Sequence, residues 1–189
     1  MKRHLVIFAR APQFGRVKRR LAGGIGAVAA MRFYRQTLDR QIRTLSRDRR
    51  WTVWLFLTPD PARYRANVRG QGRGDLGQRM KRPFARLPPG PVVLVGSDIP
   101  AMRPSHIARA FALLGGHDLV FGPATDGGFW LIGARRSRPL PRSLFSGVRW
   151  STAHALADTL ATIPAGYTTG IADTLDDVDD AEALARSAA

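Results

Sequence analysis

The sequence predicts an α/β fold, a single domain on a mostly parallel central sheet, and three observations carry that prediction. Two continuous apolar runs, residues 5–9 (Leu-Val-Ile-Phe-Ala) and 92–95 (Val-Val-Leu-Val), have the composition of strands covered on both faces, as the inner strands of a parallel sheet are. Between them Met31, Tyr34, Leu38, Ile42 and Leu45 recur three or four residues apart and share one helix face, with arginines on the other. Strand-like and helix-like stretches then alternate toward the end of the chain.

Taken in order, the first run ends in Arg10-Ala11-Pro12-Gln13-Phe14-Gly15, a loop marked by proline and glycine. A helix over about residues 27–45 leads to a second strand at 51–57, stopped by Thr58-Pro59-Asp60-Pro61. Residues 60–90 lack apolar periodicity and are rich in Gly, Arg and Pro, so long functional loops around a short helix are expected there. The run at 92–95 enters Gly96-Ser97-Asp98-Ile99-Pro100 directly. Pro104 and Ser105 open a helix that continues through Ile107, Ala110, Phe111 and Leu114 and closes at Gly115-Gly116. Strands follow at 119–121 and 129–132, separated by the turn residues Asp126, Gly127 and Gly128, and helices are expected at 151–160 and 180–186. There is no internal repeat and no low-complexity tract.

At 189 residues and 44% hydrophobic content the chain has the size and composition of one globular domain. The absence of cysteine excludes disulfides, zinc-thiolate sites and thiol nucleophiles. No apolar run is long enough to cross a bilayer. Met1-Lys2-Arg3-His4 before the first run resembles a signal peptide, but the apolar part is brief and Arg10 interrupts it, so a cytoplasmic protein is expected. The formal net charge is +16, from 27 arginines and three lysines against 14 acids, of which Glu182 is the single glutamate. Residues 1–90 hold 22 basic and 4 acidic side chains, whereas residues 91–189 hold 8 and 10. A basic half facing an acidic half suits an anionic ligand held between arginines and metal-binding aspartates, and it also suits nucleic acid. No helix-turn-helix, RNP-like or zinc-finger signature supports nucleic acid as the partner. His4, His106, His117 and His154 are scattered without ligand spacing, and neither Ser97 nor Ser151 has the context of a hydrolase triad.

In an open α/β sheet, ligands bind beyond the carboxyl ends of the strands where strand order reverses. The loops after the first strand and after residues 92–95 are therefore the first candidates. Beyond Arg10, the first loop places Gly15 before Arg16, Lys18, Arg19 and Arg20. This is either a cradle for phosphates or the solvated start of a basic helix, and it lacks the Gly-Lys-Ser/Thr of a Walker loop. Asp98 is placed to hold Mg²⁺ against phosphate oxygens, or to cap a turn. Among Asp173, Asp176, Asp177, Asp179 and Asp180, a second metal ligand competes with the ordinary role of acids at a helix start, which Asp180 fits. The glycine-dense stretch with Gln71, Asp75, Gly77 and Arg79 suits a loop closing over a polar ligand, and Asp126-Gly127-Gly128 is a sharp turn beside aromatic residues.

Six motifs occur in register: Phe8-Ala-Arg-x-Pro-x-x-Gly-x-Val-Lys18, Gln71-Gly-x-Gly-Asp-Leu-Gly-x-Arg-Met80, Gly96-Ser-Asp-x-Pro100, Gly122-Pro-Ala-x-Asp-Gly-Gly128, Trp150-Ser-Thr152 and Asp177-Val-Asp179. Over nearly the whole chain they resemble a bacterial family of GT-A-like transferases, described as selenodomain-associated transferases or glycosyltransferases. That family belongs to the nucleotide-diphospho-sugar transferase superfamily and is akin to the molybdenum-cofactor and phospholactate guanylyltransferases. The resemblance implies a Rossmann-like GT-A fold with helices on both faces of the sheet, and Mg²⁺ or Mn²⁺ as cofactor. It gives Arg10, Gly15, Lys18 and Arg20 to the phosphate loop, and Gln71, Asp75, Gly77 and Arg79 to nucleotide or acceptor contact. It gives Asp98 to the metal, with Asp179 and Asp177 as second ligand, and Asp126, Gly127 and Gly128 to the acceptor side; Lys18 and Asp98 become the catalytic pair. The implied partners are a nucleotide or nucleotide-sugar and a small acceptor, through glycosyl transfer or, alternatively, nucleotidyl transfer with release of pyrophosphate. The sequence departs from the family pattern at Arg19, Ile99, Asp180 and Ala183, of which Arg19 and Ile99 flank the phosphate site. A homodimer is open, with Trp51, Trp54 and Trp130 as the apolar surface it would use.

Overall fold

The structure is a computed structural model and describes residues 1–14, 17–61, 67–178, 180 and 183–185. The elements in chain order are β1 (His4–Arg10), α1 (Arg19–Ile25), α2 (Ala27–Ser46), β2 (Thr52–Thr58), β3 (Val68–Gly70) and α3 (Leu76–Arg86). They continue as β4 (Val92–Gly96), α4 (Pro104–Leu113), β5 (Leu119–Pro123), β6 (Phe129–Ala134), α5 (Ala155–Ala161) and β7 (Thr169–Ile171). All seven strands form one sheet in the order β3-β2-β1-β4-β6-β5-β7. Every neighbouring pair is parallel except those that β6 makes with β4 and β5.

The continuous apolar runs have their cause in this arrangement. Side chains alternate across a strand, so each face of β1 and β4 needs its own apolar set. Leu5, Ile7, Val93 and Val95 enter one core with Tyr34, Leu38 and Leu45 of α2 and Ile107 and Phe111 of α4. Val6, Val92 and Leu94 enter the other, with Met80 and Phe84 of α3 and with Phe145. Helices thus cover both faces of the sheet, and no helix among the described residues is long and apolar enough to cross a membrane.

Three expectations are corrected. Residues 60–90 contain a three-residue strand, β3, and an eleven-residue helix, α3, where long loops around a short helix were expected. Asp75 starts α3: its carboxylate accepts a hydrogen bond from Gln78 N at 2.7 Å, while Asp75 N donates to the Gln78 side chain at 3.3 Å. The helix expected from 151 begins at Ala155, because Thr152 Oγ1 bonds back to Arg149 O and holds residues 151–154 in a turn. The tryptophan surface is also absent, since Trp51 and Trp130 are 6% and 4% exposed and the Arg69 guanidinium lies over the half-buried ring of Trp54.

Candidate active site

From β1 the chain passes to β2 and β3 on one side, then crosses to β4 on the other, so strand order reverses between β1 and β4. Phe8 and Gly96 are paired there, and both strands end in loops at the same edge of the sheet. That edge holds an open cleft of about 680 Å³.

Asp98 lies two residues beyond β4, and Lys18 reaches it from the loop after β1, Nζ to Oδ2 at 2.6 Å. The Lys18 side chain is 4% exposed and that of Asp98 28%, so the ammonium is the more deeply placed partner. Lys18 occupies the left-handed region, with φ 49° and ψ 50°, at the N-cap of α1, and this turn aims its side chain back across the sheet. Arg10, Arg19, Arg20 and Arg79 line the same cleft, as do Asp98 and Asp177.

Tyr34, which the helical periodicity had placed on an apolar face, turns out to organise the site. Its hydroxyl donates to Arg10 O at 2.8 Å, accepts from Arg10 N at 3.0 Å and meets Ser97 Oγ at 3.1 Å. The end of β1 is thereby pinned to the residue before Asp98, and burial raises the phenol above its ordinary pKa. Gln71, 1% exposed, performs a similar task on the far side: its amide donates to Ala9 O and Phe56 O, and its carbonyl accepts from Arg79 at 2.9 Å. Burial, and then the neighbouring Arg10 and Arg82 cations, pull Arg79 below the usual guanidinium range. A buried amide that donates both its N–H groups to two strands and accepts from an arginine holds that arginine in place.

Other predicted residues are placed differently. Asp75 and Gly77 do not line the cleft. Asp75 caps α3, and a Cβ at Gly77 would stand 2.6 Å from that of Phe145, so glycine lets α3 approach the neighbouring segment. Asp126 accepts a hydrogen bond from Gly128 N at 2.8 Å, and Gly127, with φ +83°, leans on the backbone of Ala153. These three residues shape the turn before β6, whose first residues Phe129 and Trp130 do reach the cleft. Gly15 and Asp179 lie outside the described residues. Val178 N donates to Asp98 O at 3.1 Å, however, which draws the acidic segment containing Asp177 alongside the Asp98 turn.

The donor set fits Mg²⁺ or Mn²⁺ in chemistry. Asp98 and Asp177 offer hard carboxylate oxygens, and no cluster of three or more His, Cys, Asp or Glu exists among the described residues. A site of that kind needs ligand phosphates to complete it, which is how Mg²⁺ is ordinarily shared between protein and nucleotide. Sequence reasoning named both carboxylates together with Lys18, Arg10, Arg20, Gln71 and Arg79, but not Tyr34. The signal available for Tyr34 was its polar tip on an otherwise apolar helix face.

The model of a family described as uncharacterized protein conserved in bacteria, DUF2064, matches residues 36–152. The chain belongs to the DUF2064 family. The matched stretch runs from α2 past β6 and includes Gln71, Arg79 and Asp98. Among solved structures, this DUF2064 chain is similar to one from Desulfovibrio desulfuricans G20 provisionally designated a nucleotide-diphospho-sugar transferase. The TM-score is 0.83 at 26% identity, over 95% of this chain and 84% of the other. Two further solved structures share the fold. One is 4-diphosphocytidyl-2C-methyl-D-erythritol synthase of Anaerococcus prevotii, with TM-score 0.63, 11% identity and coverage of 100% and 96%. The other is the inositol-1-phosphate CTP transferase of T. maritima, with TM-score 0.60, 14% identity and coverage of 97% and 91%. No curated protein matches the DUF2064 chain in sequence. The fold is shared with solved structures that carry the names of transferases using nucleotide substrates.

Proposed function

We propose that the protein is a divalent-metal-dependent transferase that takes a nucleotide-diphospho-sugar as donor and passes the glycosyl group to a small acceptor. The observation that carries this reading is the meeting of Lys18 and Asp98 in a cleft that Arg10, Arg19, Arg20 and Arg79 also line, at the reversal point of the sheet. The donor diphosphate lies among Arg10, Lys18, Arg20 and Arg79, whose charges offset the negative charge that grows on the leaving phosphate. Asp98, with Asp177 or Asp179, would hold Mg²⁺ or Mn²⁺, which when bound supplies Lewis-acid stabilisation of the phosphate oxygens. An acceptor hydroxyl forms a new bond to the anomeric carbon. The carbon–oxygen bond to the diphosphate breaks, and the nucleoside diphosphate leaves with the electron pair while the acceptor's proton is released. Tyr34 and Gln71 position the groups on either side of this event and are not catalytic residues.

A second reading, nucleotidyl transfer from a nucleoside triphosphate to a phosphorylated acceptor, is favoured by one observation: among the described residues five cations line the cleft, a number better matched to three phosphates than to two. The separating experiment is thermal unfolding with a panel of nucleotide sugars and nucleoside triphosphates, with and without Mg²⁺, followed by product analysis. A ligand bound only by the folded chain at 100 times its Kd stabilises by about 2.7 kcal/mol. The expected result is a Mg²⁺-dependent rise with a nucleotide sugar, and nucleoside diphosphate as product. A rise with triphosphates alone and release of pyrophosphate would transfer the proposal to the second reading. No rise with any ligand would refute both, and salt-sensitive nucleic-acid binding would then be tested.

A further inference from the structure

The cleft has two unlike walls. The cations of the first loop enter from the face where Val17 joins the first core. On the opposite face the second core is left open at the carboxyl ends of β1 and β4. Phe8, Leu76, Phe129 and Trp150 pack on its margin, each half-buried, and all four line the cleft. They come from four separate places in the chain, and the Phe129 and Trp150 rings stand 6.3 Å apart with both within 6.4 Å of Phe145. A smaller recess of about 180 Å³ opens off the cleft at the ends of β1 and β2, where Arg10, Gln13, Thr58 and Arg79 are joined by Ala11, Val17 and Pro59. That recess offers Arg10, Gln13, Thr58 and Arg79 as hydrogen-bonding groups for a base edge and a ribose, and none of Phe8, Leu76, Phe129 and Trp150 lines it.

We propose that the aromatic wall is the acceptor subsite, and that the acceptor carries an aromatic or alkyl group beside its nucleophilic oxygen. This rests on the transferase reading above. An apolar group laid on Phe8, Leu76, Phe129 and Trp150 is stabilised by the apolar surface it removes from water. A polyol there gives up hydration without partners, since the wall offers few polar side chains in return. With the nucleoside in the polar recess and the phosphates at Lys18, this wall is the face left for the second substrate.

The test is saturation-transfer NMR on the full chain with benzyl alcohol, hexan-1-ol and glycerol, each with and without Mg²⁺ and an equimolar mixture of ADP, CDP, GDP and UDP. The two apolar alcohols should receive saturation, and keep it when the nucleotides are added, while glycerol receives none. Phe129→Ala and Leu76→Ser should each weaken benzyl alcohol binding about tenfold. Both should retain the nucleotide-induced rise in melting temperature, which also shows that they fold. The inference is overturned if glycerol binds as well as the alcohols, or if both variants bind benzyl alcohol like the parent. It is also overturned if nucleotides displace benzyl alcohol, which would assign the wall to the nucleobase. If no nucleotide raises the melting temperature of the parent yet the alcohols bind as described, the donor reading fails and the apolar ligand site stands.

Discussion

Asp98→Ala and Lys18→Met cut one ion pair from opposite ends, and the structure makes their costs unequal. Lys18 is 4% exposed, so without Asp98 its ammonium keeps its burial and loses a charged partner at 2.6 Å. Removing one partner of a fully buried pair costs about 3–5 kcal/mol when nothing else compensates the remaining charge. Here the carboxylate side is 28% exposed and water reaches it, so the cost of Asp98→Ala is expected at about 2–3 kcal/mol. Lys18→Met keeps an apolar stem of similar length in the buried position and leaves a carboxylate that water can solvate, for a change within about 1 kcal/mol. The double variant should then match Lys18→Met, a coupling of about 2 kcal/mol. Urea unfolding reads these values as shifts of the midpoint at constant m. In a chain of this size each kcal/mol also moves the melting temperature by about 2–4 °C. Equal losses in the two single variants, or strict additivity in the double, would refute the buried ion pair. The functional arm is independent: Asp98→Ala should abolish the Mg²⁺-dependent nucleotide shift.

Tyr34→Phe removes only the hydroxyl and leaves the Arg10 backbone pair and Ser97 Oγ without it, for a cost of about 1–3 kcal/mol in denaturant unfolding. Because burial raises the Tyr34 pKa, its contribution is complete below pH 10 and is lost as pH climbs through the folded value; the alkaline loss of stability should therefore shrink in Tyr34→Phe. His4 has the opposite sign. Burial lowers its pKa, so stability is full above pH 6.5 and falls with acidification toward the folded value, a slope that pH-dependent melting should show and His4→Phe should flatten. Gly77→Ala forces a Cβ to 2.6 Å from that of Phe145 and should cost about 1–3 kcal/mol by urea unfolding, without changing nucleotide affinity.

Much of the fold was legible because the inner strands leave an unmistakable trace. β1 and β4 need apolar side chains on both faces, and α2 repeats its buried positions at helical spacing. β3 and β7 left no such trace: each is three residues long at an edge of the sheet, with too few positions to display a period. The reversed direction of β6 was equally hidden, since a covered antiparallel strand and a parallel one have the same composition. At the site, the types and places of Lys18 and Asp98 suggested phosphate and metal chemistry. Their contact, however, spans 80 positions and arises only from the β1–β4 pairing. Asp75 and Gly77 show the converse. Capping and close packing select the same residues that a ligand loop would, and only the coordinates separate the two causes.

The reversal of β6 also bears on how such a protein diverges. Because this strand runs against its neighbours, its first residues reach the ligand edge, and Phe129 and Trp130 arrive there directly behind the turn at residues 124–128. A length change in that turn would shift the two aromatic rings while leaving the β1–β4 register and the Lys18–Asp98 contact as they are. The antiparallel strand is therefore a separately adjustable part, through which the aromatic side of the cleft can be reshaped while the Lys18–Asp98 side keeps its geometry.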